Sequence, residues 1–151
     1  MHRLDRTMIA APVDRVFAIA ADVERWPEFL GHYRLVRMIE RREGGGIVEM
    51  AAWRPFGPVR YPTWWVSEME TDPDTHTIRY RHIRGITREM EVEWSITGTD
   101  GAVDVSIVHD WAGPGWPVIG HLAAELVIGP VFIRGIASRT LAGVKRKAEW
   151  T

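Results

Sequence analysis

The side chains best suited to proton chemistry in this chain are His109 in "VDVSIVHDW", His82 in "RYRHIR" and Tyr33 at the end of "WPEFLGHY". An imidazole gives or takes a proton near neutral pH, and a phenol can hydrogen-bond a carbonyl oxygen. His109 falls on an apolar strand face, where a lone histidine is more often a satisfied core residue than a catalyst. The poor alternation of "RYRHIR" leaves the facing of His82 open, and Tyr33 reads also as a strand-edge residue anchoring the helix before it. The six histidines are scattered with no pair at ligand spacing, so neither a zinc or iron site nor any other cofactor is expected. Gly44–Gly46 lacks the Lys-Ser/Thr and following helix of a phosphate loop, and no Gly-x-Ser-x-Gly elbow supports a Ser-His-Asp hydrolase.

Tryptophan is the unusual entry in the composition, with eight residues against four phenylalanines and three tyrosines. Trp suits surfaces that are apolar but not wholly dry, because its N–H wants a partner. "YPTWWVSEME" sets Trp64 beside Trp65, and neighbours on a strand point to opposite faces. Trp65, Trp94 and Trp111 therefore read as core or pocket wall. Trp64 reads as a surface residue packed on charged stems or as a homodimer contact.

The elements that must position these residues follow from periodicity. With 151 residues the chain fits one domain, 1–151, large enough to bury a core without disulfides or metal. A first strand spans 3–10. "APVDRVFAIA" then reads as a short helix with Pro12 in its first turn and Asp14 near its positive end. Asp22 is the expected N-cap of a second short helix, "VERWPEFL", which Pro27 should weaken or end. From residue 33 the period becomes that of strands, with turns at Glu43–Gly46, Thr71–Asp74 and Asp100–Gly101. In "REMEVEWSI", Met90, Val92, Trp94 and Ile96 share one face and Glu89, Glu91, Glu93 and Ser95 the other. The result is an antiparallel meander with a mostly wet outer face. A short helix or loop is expected near 117–127, then a long helix from about Pro130 to Glu149 whose apolar stripe would seat on the meander. Where a curved sheet grips one helix, a gap between them is a natural small-molecule site.

Bulk properties exclude several classes. A formal charge of -1 gives no electrostatic basis for nucleic acid or anionic membrane as a partner. No cysteine is present, which removes thiol catalysis and fits a cytoplasmic location. The N-terminus shows no signal-peptide pattern, and the apolar run 122–133 is interrupted by Glu125 and Gly129-Pro130 and too short to span a bilayer.

Several stretches taken in order, "APVDRVFAIAADVERWPEFLGHY", "WWVSE", "DPDTHTIRYRHIRG", "MEVEW" and "RTLAGVKRKAEW", resemble the START-like helix-grip superfamily, in particular its bacterial polyketide aromatase/cyclases. The resemblance implies an α+β fold of the Bet v 1-like kind. A seven-stranded curved antiparallel sheet would wrap a long C-terminal helix over an internal cavity, with two short helices after the first strand. It also implies a small hydrophobic partner, either a polyketide to be cyclised and dehydrated or a lipid- or quinone-like cargo that is only carried. Carried over residue by residue, the pocket positions match Tyr33, Trp26, Trp65, Ser67 and Trp94. A basic pocket residue falls at His82 and the family's glutamine at His109. The arginine implied as proton donor is replaced by Met69, which cannot donate. That leaves His82, His109 and Tyr33 as the available donors, or a pocket that does not run the cyclisation.

Overall fold

A computed structural model describes residues 2–56, 59–99, 101–113 and 134–150. The short helix or loop expected near 117–127, and the start of the long helix at 130–133, lie outside these residues. Seven strands are present: β1 (His2–Ile9), β2 (Tyr33–Arg42), β3 (Gly45–Phe56), β4 (Val59–Asp72), β5 (Thr77–Gly85), β6 (Glu91–Thr99) and β7 (Ala102–Asp110). They form one curved sheet in the order β1-β7-β6-β5-β4-β3-β2, every neighbour antiparallel. Consecutive strands from β2 to β7 pair with each other, and among the described residues short turns join β2 to β3, β4 to β5 and β5 to β6, the meander that the alternation dictates. Because β1 and β2 stand at opposite edges, the chain between them must cross from one edge to the other. Helices α1 (Val13–Ala21) and α2 (Trp26–Phe29) make that crossing.

The turns follow their residue types. Glu43 and Gly44 close the β2–β3 hairpin, with Gly44 at φ 74°, a backbone region open to glycine at little cost. Asp72 accepts the backbone N–H groups of Asp74 and Thr75 and so folds the β4–β5 turn. Two details differ from expectation between α1 and β2. Asp22 makes no side-chain cap; its carboxylate lies 3.4 Å from Arg25 instead. Pro27 ends nothing: Val23–Arg25 form a separate 3-10 turn, and Pro27 sits in the first turn of α2, where its missing N–H costs no helical bond.

Helix α3 (Arg134–Glu149) packs on β1, α1 and β3. Its stripe of Ala137, Thr140, Leu141, Val144 and Ala148 is buried as its period requires. Gly143 permits the closest approach, since a Cβ there would stand 2.0 Å from Cδ2 of Leu30, itself buried after α2. Each edge strand has a backbone group engaged by a side chain. Lys145 Nζ donates to Met8 O on β1, and Met38 N on β2 donates to Glu24 Oε2. Such contacts occupy backbone groups that would otherwise invite another strand.

Candidate functional site

Between the inner face of the sheet and α3 lies a cavity of about 70 Å³. Alternation in the strands sets which residues reach it. Tyr80 and His82 come from β5, Val92 and Trp94 from β6, Ile107 and His109 from β7, with Met50 from β3 and Trp65 from β4. Helix α2 adds Trp26, the start of β2 adds Tyr33, and α3 covers the cavity with Ile136, Ala137 and Thr140.

The aromatic rings form a connected wall. The Trp26 ring centre is 5.2 Å from that of Tyr33 and 5.8 Å from that of Trp94, while Trp65 lies stacked on His82 at 5.7 Å and 11°. These are edge-to-face and stacked separations at which aromatic pairs attract beyond their buried area.

His82 is the more firmly held histidine. Its Nδ1 is 2.7 Å from Thr87 Oγ1, its backbone N–H donates to Met90 O, and its carbonyl accepts from Glu89 N. Burial lowers its pKa to about 3, with His109 nearby as the second cause. His109 is lowered to about 4, again chiefly by burial; Asp5 and Asp110 oppose the shift and Arg3 assists it. Both imidazoles are therefore neutral near pH 7, and the same burial makes each a weaker base than a free imidazole. The Tyr33 and Tyr80 phenols are both raised by burial; a hydrogen bond to Thr140 works against the shift at Tyr33, and the nearness of Tyr33 adds to it at Tyr80.

Among the described residues, Trp26 Nε1, Tyr80 OH and His109 Nδ1 are buried at this cavity without a hydrogen-bond partner. Three such atoms around one small space is uncommon, because buried polar groups are nearly always paired.

Of the residues singled out from sequence, Trp26, Tyr33, Trp65, His82, Trp94 and His109 surround the cavity together. Ser67 and Met69 are buried on the inner side of β4 but are not part of its lining, and Ser67 Oγ has no partner. Trp111 is core away from the cavity, its Nε1 donating to Arg88 O at 3.0 Å. Trp64 is 41% exposed and donates to Glu49 Oε2 at 2.9 Å, so it lies among charged side chains on the outer face. Tyr80, Thr87 and Thr140 were not anticipated. Tyr80 had a signal: Ile78, Tyr80 and His82 alternate with Arg79 and Arg81, and only Ile83-Arg84 spoils the pattern.

Residues 9–131 match the family model described as "Polyketide cyclase / dehydrase and lipid transport". The chain belongs to this family. A polyketide cyclase relative from Streptomyces halstedii is 32% identical over 95 residues, covering 62% of this chain and 84% of its own. Among solved structures, the Zhui aromatase/cyclase from Streptomyces sp. R1128 superposes with a TM-score of 0.81 at 21% identity, over 99% of this chain and 93% of its own. A START superfamily protein from Mycobacterium smegmatis superposes with a TM-score of 0.72 at 15% identity, over 97% of each chain. At those identities the structural matches establish the helix-grip fold. The polyketide cyclase family description itself covers both catalysis and transport, so the choice between them rests on the cavity. Among the described residues no helix is long and apolar enough to cross a membrane.

Proposed function

We propose that this protein takes a neutral, hydrophobic polyketide or aromatic metabolite into the cavity and promotes its intramolecular cyclisation and dehydration. The observation that carries this reading is the pair of neutral imidazoles, His82 and His109, lining one Trp-walled cavity. In the reaction, one imidazole removes a proton from a methylene flanked by carbonyls. The resulting carbanion attacks a ketone carbon of the same chain, a C–C bond forms, and the ketone oxygen takes up a proton. Loss of that hydroxyl with a second methylene proton releases water and leaves a double bond in the new ring. No oxidant or reductant is needed. Burial that keeps the imidazoles neutral also makes an imidazolium short-lived, which favours return of the proton to the departing oxygen. The indole walls hold one chain conformation, so one ring closure outpaces the others.

A cavity of about 70 Å³ is small beside the roughly 300–1,000 Å³ of ordinary ligand sites, so occupancy requires it to widen. Met50 and Met90 in its wall are the unbranched side chains best able to yield. The test is to supply the protein to a synthase that makes a poly-β-ketone and to compare products with His82→Ala and His109→Ala. Loss of the cyclised product in either variant is expected, and an unchanged product pattern in both overturns the catalytic reading. One observation favours a second reading, a carrier: Met69 stands where the resemblance implies an arginine donor. A carrier would keep its cargo unaltered, and native mass spectrometry of the purified protein would show that mass.

A further inference from the structure

We propose that Tyr80 supplies the hydroxyl that hydrogen-bonds the oxygen of a bound ligand, with the indole N–H of Trp26 as a second donor. The inference rests on the cavity being the ligand site, and it names the chemistry that site selects: a neutral ring compound carrying a carbonyl oxygen.

The Tyr80 hydroxyl is buried at the cavity, has no hydrogen-bond partner, and keeps its proton free. Trp26 Nε1 is in the same state and can only donate.

Two free donors in an apolar space call for acceptors. Among the described residues the lining contains no Arg, Lys, Asp or Glu, and its histidines are neutral, so a carboxylate or ammonium would meet no counter-charge from them. An aryl ketone meets both conditions.

Acetophenone and α-methylstyrene, which differ by an oxygen in place of a methylene, isolate the donor effect. Binding is followed by the displacement of the Trp26 indole N–H resonance, with the bound ketone labelled at its carbonyl carbon. Wild type should bind acetophenone about tenfold more tightly than α-methylstyrene. Tyr80→Phe should bring the ratio near one and move the bound carbonyl resonance upfield, whereas Tyr33→Phe should leave the ratio intact. Because the Tyr80 hydroxyl has no partner to lose, Tyr80→Phe should melt no lower than wild type, which separates a lost donor from a lost fold. A ratio that survives Tyr80→Phe, or collapses in Tyr33→Phe, overturns the assignment. Equal binding of both probes to wild type overturns it while leaving the cavity as a ligand site; binding of neither overturns both.

Discussion

The two faces of the sheet treat polar groups in opposite ways. On the outer face Arg79 pairs with Glu93 at 3.0 Å, Arg81 with Glu89 at 3.0 Å and Arg37 with Glu49 at 2.8 Å, all with at least one well-exposed partner. On the inner face Ser67, Tyr80 and His109, and on helix α2 packed against it Trp26, each hold a buried polar atom without a partner. Water can satisfy every outer group whatever its neighbours do, so the pairs there neither add much nor cost much. A buried unpaired donor costs on the order of 1–3 kcal/mol, so the inner face gives up stability where the outer face does not. The difference locates function: the face that bears an uncompensated polar cost is the one arranged for something besides folding.

The largest contrast should come from the same residue type placed on each face. Trp94 is 3% exposed and in ring contact with Trp26, so Trp94→Ala should cost about 3–5 kcal/mol in urea unfolding. Trp64, half out of the core and bonded to Glu49, should lose about 1 kcal/mol or less as Trp64→Ala. Equal losses would show that the outer surface is as tightly packed as the interior, and the comparison would fail.

Acid should separate the faces next. In the fold His82 and His109 have pKa values near 3 and 4, below the 6.5 of an unfolded histidine. The unfolded chain therefore binds protons first as pH falls. Their neutral-state stability is fully present above about pH 6.5 and is lost on the way down towards the folded values. Each contributes a slope of roughly 1.4 kcal/mol per pH unit in that window. His109→Gln keeps hydrogen-bonding capacity and removes the titration. The slope of unfolding free energy between pH 6.5 and 4.5 should fall by about one proton's worth. An unchanged slope would mean His109 is not buried neutral.

The strands and turns were legible because each follows from local chemistry: alternation in Val92, Trp94 and Ile96, a glycine hairpin at Gly44, an Asp-led turn at Asp72. The aromatic members of the site were legible for the same reason, once the resemblance supplied a register. What escaped depends on contacts between distant parts of the chain. His32 and Thr140 lie 108 residues apart, and nothing near either in the sequence shows that the two side chains meet. The register shift between Val66 and Ser67 is equally invisible in "WWVSEME": outer-side Val66 is buried and Ser67 and Met69 stay out of the cavity lining. Cavity volume is the small difference between a curved sheet's interior and the side chains that fill it, so no alternation pattern predicts about 70 Å³.

The smallest effect is expected where the outer face carries its ion pairs. Arg79 and Glu93 sit directly opposite on β5 and β6, an arrangement that brings opposite charges together across the ladder. Both remain well exposed, with side chains 61% and 45% accessible, so water competes for each charge and salt screens what is left. Arg79→Ala should move the melting temperature by less than about 2 °C, and raising salt should shrink the change further. A larger loss that persists in high salt would mean that the guanidinium stem, and not its charge, shields the strand beneath. The outer face would then share the packing character that the comparison reserves for the inner one.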